Sequence, residues 1–359
     1  MNNTPTEQNN YNTTAKKRVL SGIRATGRLH LGNYLGAVEG MLELQKDQNI
    51  ETLYMVADIH TITTPYRVAE LRDNRRQVIL DYLAAGLDPE KSIIFLQSMV
   101  PQHTELSFYF SSLMSIARMQ HLPTFKDKVK QYPDHATMAL LNYPILMSAD
   151  ILVYKAGLVP VGIDQEPHLE VAREVARKMN EAYGLDFPEP QRFATQGEYV
   201  PSLRGEGKMS KSVEGSFINL TDDLSTITKR LSSAPTDSGT GSISRHANEK
   251  GKVTVEYHDQ LGSESPGVKS LLEFVELFQG SAKRAEYETL YESTGLRYGD
   301  LKKELAAAIF AELQPMQEKR AQLEADPAYV TEVIESGAAR ARAIAQETVQ
   351  KVREAMGLG

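Results

Sequence analysis

The sequence contains no cysteine. Disulfides and thiolate metal sites are excluded, and an iron–sulfur cluster would lack its sulfur ligands. Tryptophan is absent too, beside 16 tyrosines. No run approaches the ~20 apolar residues of a membrane-spanning helix. The opening M-N-N-T-P-T-E-Q-N-N-Y-N-T-T lacks the positive start and apolar centre of a secretion signal. These absences fit a cytoplasmic protein. Positive charge is not in excess: 40 lysines and arginines face 47 aspartates and glutamates, a net charge of −7. That argues against a globally basic nucleic-acid binder and leaves local basic patches open.

What is present reads as an ordinary globular chain of 359 residues, 41% hydrophobic and 24% charged, long enough for two domains. Residues 1–15, polar and rich in Asn and Thr, are expected to form a disordered extension. Lys17 to Ile23 reads as a strand, R-A-T-G-R as a turn, and a helix is expected from near Leu29. Buried-strand patterns follow at 52–57 and 92–97, separated by an amphipathic helix over 67–86 that Gly86 and Pro89 close. Helices are expected over 103–121, 135–155 and 165–182, with Val159 to Asp164 a strand entering a loop. The alternation predicts an α/β domain with a Rossmann-like, doubly wound parallel sheet. Ligands would lie beyond the carboxyl ends of its strands, where Asp58 and His60 fall. Residues 199–216 read as a loop rich in glycine and serine. Beyond it strand patterns largely disappear: 222–232, 267–280, 283–293, 299–313 and 327–356 read as helices, and 235–265 as a polar loop. A mostly α-helical C-terminal domain is therefore expected. Its last helix opens on Asp326-Pro327, an N-cap and first-turn pair. Ala341, Ala345, Val349, Val352 and Met356 share one face of that helix, so it should dock on something.

Two stretches carry chemistry. In H-L-G-N-Y-L-G-A-V-E-G, residues 30–40, Gly32, Gly36 and Gly40 recur at helical spacing, each disfavoured by roughly 1 kcal/mol relative to alanine. Free N–H groups and the positive helix end at His30, Gly32 and Asn33 favour a phosphate. The bare face suits either tight packing on the sheet or a flat base or ribose against the main chain. The second stretch is Gly207-Lys208-Met209-Ser210-Lys211-Ser212. Such a loop is either a solvated linker or a cover that brings two ammonium groups onto a polyphosphate.

Paired in this order, and with an α/β-then-α layout, the two motifs resemble those of the class I aminoacyl-tRNA synthetases. The resemblance extends to the bacterial-type tryptophanyl enzymes. It runs from S-G-I-R-A-T-G-R-L-H-L-G-N-Y-L-G-A through V-A-D-I-H-T-I-T and Y-P-I-L-M-S-A-D-I-L-V-Y to V-P-V-G-I-D-Q-E-P-H-L-E and A-M-G-L-G. There are departures. The family often has proline where this chain has Ala25, many bacterial members have glutamine at the place of Arg24, and Asn33 replaces the second histidine of the best-known first motif.

The resemblance implies ATP as a substrate, with Arg24, His30, Gly32, Asn33, Gly162, Asp164, Lys208, Met209, Ser210 and Lys211 around it and Mg²⁺ on its phosphates. Asp164 would take the ribose hydroxyls. L-Tryptophan is the implied partner substrate: His60 as pocket wall, Tyr143 and Gln165 at the ammonium, Met147 on the ring, Asp150 at the indole N–H. His30, Asn33, Lys208 and Lys211 would be the catalytic groups, with no metal held by side chains alone. Further implied partners are tRNA(Trp) and a second copy of the chain in a homodimer; no membrane is involved. The implied divisions are an extension over 1–15, a catalytic domain over 16–203, a mobile loop over 204–216, an anticodon-binding helical domain over 217–330, and a C-terminal helix over 331–359 that packs back on the catalytic domain. Arg230, Arg245, Lys250, Lys252, Lys302 and Lys303 are the basic residues available for the anticodon.

Residue chemistry bears on several of these roles. Asp150 is the only charge between Ala139 and Tyr154. A buried carboxylate needs a donor, and an indole N–H only donates. Pairing of Asp150 within its own fold is the alternative. Phenylalanine would leave Asp150 without a donor, a mismatch reaching ~10⁴–10⁵ in discrimination; tyrosine, whose hydroxyl donates, must be excluded by pocket depth. His168 either packs under its helix or touches ligand. Phe125 to Lys130 is either a solvated helix end or a contact for the tRNA acceptor arm across a dimer. The implied reaction has two steps, adenylate formation and transfer to tRNA, and needs positioning and charge stabilisation rather than a general base. Rival readings are a tyrosine-specific synthetase of the same fold, a non-catalytic paralogue that binds tryptophan or RNA, and a small-molecule adenylyltransferase.

Overall fold

Five short runs, the central ones largely apolar, become strands of one parallel sheet, as buried strands in α/β layers do. They are β1 (Lys17–Arg24), β2 (Ile50–Ala57), β3 (Ser92–Leu96), β4 (Leu158–Pro160) and β5 (Gln191–Phe193), in the spatial order β3-β2-β1-β4-β5. The computed structural model describes residues 16–194, 199–211, 213–247 and 253–359. The extension over 1–15, Ser212, Lys250 and Lys252 lie outside them. β1 pairs with β2 from Lys17 opposite Ile50 to Arg24 opposite Ala57. The chain builds β1, β2 and β3 outward, then returns to lay β4 on the other side of β1. That reversal opens a crevice at the carboxyl ends of β1 and β4.

The helices of this domain are α1 (residues 31–44), α2 (Asp58–Thr61), α3 (Val68–Ala85), α4 (Gln102–Ser111), α5 (Ile116–Gln120), α6 (Pro123–Gln131), α7 (Met138–Leu152) and α8 (Glu166–Tyr183). Gly86 ends α3 in the left-handed region at φ 108°. The single helix expected over 103–121 is two, because Ser115 breaks the run and caps α5 by accepting from the Arg118 N–H at 3.2 Å. β5 was too short for the sequence pattern to reveal.

The second region contains α9 (Leu224–Ser232), a hairpin of β6 (Gly241–Ala247) and β7 (Val253–Asp259), then α10 (Pro266–Gln279), α11 (Ser281–Tyr291), α12 (Tyr298–Ala325) and α13 (Pro327–Ala355). The hairpin corrects the expected loop over 235–265. Its inward residues are few: Ile243 opposite Tyr257, and Val255 beside them. Tyr257 is buried and donates to Glu288 on α11 at 2.5 Å. The polar residues between them hid the alternation. α12 also runs past its expected end at 313, through Pro315 to Ala325. An internal proline disfavours a helix by ~3 kcal/mol, but Leu313, Arg320 and Leu323 are all buried beyond or around it, so packing wins.

α13 begins as its cap predicts: Asp326 accepts from the Tyr329 N–H at 3.0 Å. Its buried Ala338, Ala341, Ala345, Val349 and Val352 join one core with Leu53, Met55, Ile93 and Phe95 of β2 and β3. At Gly337 a Cβ would lie 1.8 Å from the Ile94 carbonyl oxygen. Gly337→Ala should therefore force the helix off the sheet and lower unfolding free energy by about 1–3 kcal/mol, read by urea titration. Helix propensity alone predicts the opposite sign. Among the described residues no helix is long and apolar enough to cross a membrane.

Candidate active site

A cleft of about 690 Å³ opens at the reversal of strand order. It is lined by Arg24, His30, Gly32, Asn33, His60, Tyr143, Met147, Asp150, Gly162, Asp164, Gln165, Lys208, Met209 and Ser210, which the sequence singled out, but not by Lys211. The carboxyl ends of β1 and β2, the start of α1, one face of α7 and the segment after β4 all converge there. On α7 the cleft face is Leu140, Tyr143, Met147 and Asp150, the 3-4-3 spacing of one helical side.

At the nucleotide end the two motifs are physically joined. The chain after the lysine loop pairs with the chain entering α1: the Leu31 N–H donates to the Ile218 carbonyl at 2.9 Å and the Leu220 N–H to the Leu29 carbonyl at 3.0 Å. Gly32 is bare because the His30 ring, and behind it the loop, come close. A Cβ there would meet the His30 ring at 2.9 Å and Met209 Cβ at 3.3 Å, and the Gly32 N–H points at the Met209 sulfur at 3.3 Å. The three glycines do not share one face. Residues Tyr34–Val38 form a π-helical turn, which shifts the register. Gly32 and Gly36 line the cleft, while Gly40 is buried away from it.

His30 is buried, and burial, then Lys211 and Lys208, push its pKa down to about 4. Its ring is neutral at pH 7, and Nδ1 has no hydrogen-bond partner among the described residues. The Asn33 side-chain oxygen accepts from the His30 main-chain N–H at 3.2 Å. Lys208 reaches the cleft, with Nζ 3.7 Å from where a Gly162 Cβ would stand. Lys211 instead donates to the Thr26 carbonyl at 3.2 Å. Burial lowers its pKa to about 8, against an opposing pull from Asp81. Arg24 is held by Thr64 Oγ1 at 2.7 Å and the Thr61 carbonyl at 3.3 Å, and its buried Nε lacks a partner among the described residues. Lys128 of α6 also lines the cleft. Its stretch was read as a helix end or a tRNA contact, and its position on the wall follows from the fold alone.

At the other end a second network fixes tautomers. Asp164 can only accept, so Gln165 Nε2 donates to it at 2.7 Å and turns its oxygen to His168. His168 Nδ1 then carries the proton and donates to Gln165 Oε1 at 2.9 Å. His168 Nε2 is left an acceptor, with the Tyr143 and Thr124 hydroxyls both at 2.6 Å. Burial first, and His60 among the charges, push the His168 pKa down to about 4. The Tyr143 hydroxyl lies on the cleft wall, where its oxygen can accept from a ligand. That suits an ammonium. His168 itself stands behind the wall.

Asp150 is buried, with three donors. Gln97 Nε2 (2.8 Å) and His103 Nδ1 (2.6 Å) share Oδ1, and His60 Nε2 (2.8 Å) takes Oδ2. Gln97 Oε1 accepts from the Ile59 and His60 N–H groups, which fixes its amide. Tyr154 hydrogen-bonds the far nitrogen of His103 at 2.7 Å. Burial pushes the Asp150 carboxyl up, but His103 and His60 outweigh it and hold it below the ordinary range. The sequence argument that phenylalanine would leave Asp150 donorless is thus corrected. Oδ1 is filled, and only one lone pair on Oδ2 remains open. Losing one bond to a charged group is worth about 1.5–3 kcal/mol, roughly 10–100-fold. Gln97 and His103 were missed, although Gln97 directly follows the carboxyl end of β3, the kind of position that singled out Asp58 and His60.

The fold and this cleft define a nucleotide-binding α/β enzyme, and similarity makes the class specific. The model of the family "tRNA synthetases class I (W and Y)" matches residues 12–314. The chain belongs to that family and is a ligase of the aminoacyl-tRNA synthetase type. It is 38% identical over 347 residues to the tryptophan–tRNA ligase of Treponema pallidum, covering 95% of this chain and 97% of that one. A second such ligase, from Porphyromonas gingivalis, is 38% identical over 342 residues, 94% of this chain and 98% of its own. The crystal structure of Campylobacter jejuni tryptophanyl-tRNA synthetase complexed with ADP and tryptophan superposes with a TM-score of 0.78 at 31% identity. It covers 95% of this chain and 100% of that one.

Proposed function

We propose a division of labour in the cleft for a reaction that family and full-length relatives define. The protein is a tryptophan–tRNA ligase. The tryptophan carboxylate attacks the α-phosphorus of ATP and pyrophosphate leaves; a terminal ribose hydroxyl of tRNA(Trp) then attacks the adenylate's carbonyl carbon, taking the tryptophanyl group and releasing AMP. The substrate supplies its own nucleophile, so the protein positions reactants and balances charge.

Lys208 and the helix start at His30 and Asn33 flank the triphosphate, with Arg24 and Lys128 opposite. Neutral His30 offers a ring nitrogen without adding charge. Lys211 releases Thr26 and joins Lys208 as the loop closes. Gly162, Met209 and Ser210 form the adjoining wall, and Asp164 takes the ribose hydroxyls. Mg²⁺ would come with ATP and offset phosphate charge; among the described residues there is no cluster of three or more metal-binding side chains. Tyr143 and Gln165 receive the ammonium, Met147 lies on the ring, and Asp150 Oδ2 accepts the indole N–H beside His60.

The open lone pair on Asp150 carries the amino-acid assignment. Pyrophosphate exchange tests it: exchange should depend on tryptophan, and exchange with tyrosine alone, or none, would overturn it. Lys211 adds a pH test. Its ammonium is lost as pH rises through about 8, so kcat/KM for ATP should fall there, and Lys211→Arg should remove that limb.

The helical region is assigned to the anticodon. Arg230 pairs with Asp222 and Arg245 with Glu288, while Lys302 donates to the Ser232 and Ala234 carbonyls. Lys303 is exposed and is the better candidate among those described. A homodimer is supported by the exposed Phe108 (77%), Ile116 (61%) and Met138 (71%) of α4, α5 and α7. The cytoplasm is where its tRNA would be met.

A further inference from the structure

Among the described residues, Asp81 and Arg320 are the most deeply buried ion pair outside the cleft, with side chains 1% and 5% accessible. Asp81 lies on α3 and Arg320 on α12. We infer that they are positioning residues for tryptophan activation: through them, and through Gln317, helix α12 sets the main-chain geometry of both ATP motifs.

The geometry is specific. One Asp81 oxygen accepts from Arg320, and the other accepts from the Leu29 N–H at 2.6 Å, one residue before His30. Arg320 is itself fixed by Gln77 on α3 and by Glu324 at 3.0 Å. One turn earlier, Gln317 Nε2 donates to the Leu220 carbonyl at 2.9 Å and the Asp222 carbonyl at 3.0 Å. Leu220 is the residue whose N–H pairs with the Leu29 carbonyl. α12 therefore grips both partners of the ribbon that joins the signature helix to the lysine loop. Asp81 also acts electrostatically on Lys211.

A pair serving stability alone would not need the Leu29 N–H. Buried ion pairs are commonly replaceable by apolar residues of like volume without loss of stability. An acceptor for a main-chain N–H beside a reacting group is not replaceable in that way, and a 1 Å displacement at such a place can lower the rate about 10²-fold.

The inference rests on the cleft being the site of activation, which wild-type exchange activity tests by itself. Arg320→Met should lower kcat for tryptophan-dependent pyrophosphate exchange about 10-fold or more, with KM for tryptophan nearly unchanged. Arg320→Lys should recover most of it. The apolar pair Asp81→Leu with Arg320→Met should recover part of the melting temperature lost in Arg320→Met, by removing the unpaired buried charge, but not kcat, because the Leu29 N–H still lacks its acceptor. Gln317→Ala, which leaves both charges in place, should lower kcat about threefold or more by loosening the ribbon. Wild-type kcat in the apolar pair, or in both Arg320→Met and Gln317→Ala, would overturn the inference. If the Asp81 variant does not fold, the Arg320 and Gln317 variants decide.

Discussion

Asp150→Asn should weaken tryptophan binding by about 100-fold or more. The loss combines a charge-assisted hydrogen bond, about 1.5–3 kcal/mol, with a pocket wall that no longer sets. The carboxylate accepts from His60, His103 and Gln97 at once. An amide has one accepting oxygen, so its NH₂ must face at least one of these donors. The measurement is direct because the chain has no tryptophan: added substrate is the only indole in the sample. Quenching or a spectral shift on titration should vanish in the variant. Affinity within threefold of wild type would remove Asp150 from the recognition of the indole. Since the carboxyl is held below its ordinary range, wild-type binding should not weaken through Asp150 as pH falls toward about 4, where free carboxyls protonate.

Lys208→Ala should lower kcat for adenylate formation by ~10²–10³, the range seen when one preorganised charge-stabilising donor is removed. Tryptophan binding should stay within twofold, because the Asp150 and Tyr143 end of the cleft does not touch the loop. Lys208 is preferred over Lys211 for this test on geometry. Lys208 already faces the cleft, whereas Lys211 is seated on the Thr26 carbonyl and must move. A Lys208→Ala enzyme with undiminished single-turnover adenylate formation would put the phosphate charge elsewhere, with Lys128 and Arg24 as the remaining cations of the wall.

Most of the parallel sheet was legible because β2 and β3 are nearly continuous apolar runs and the helices between the strands carry the 3.6 period. Asp150 stood out as a lone charge on an apolar helix, and Lys208 as one of two lysines in a glycine-rich loop. Gln97 and His103 did not stand out, because their meeting with Asp150 joins the chain after β3 to α4 and α7, and no local pattern encodes it. The π-helical turn in α1 was hidden for a related reason: glycine spacing presumes 3.6 residues per turn, and one widened turn carries Gly40 off the cleft. The hairpin of β6 and β7 was concealed by having few apolar residues to alternate. Pro315 gave a false stop, overruled by the burial of Leu313, Arg320 and Leu323.

The way α13 covers β3 also bears on how the protein is made. β3 ends at Leu96, and the helix that seals it begins at Pro327. While the ribosome is still at work, Phe95 can already pack on His103 and Tyr154, but the part of β3 that α13 covers waits for a partner not yet synthesised. A nascent chain halted before Pro327 should therefore engage chaperones or aggregate, even with every strand of its parallel sheet already in hand.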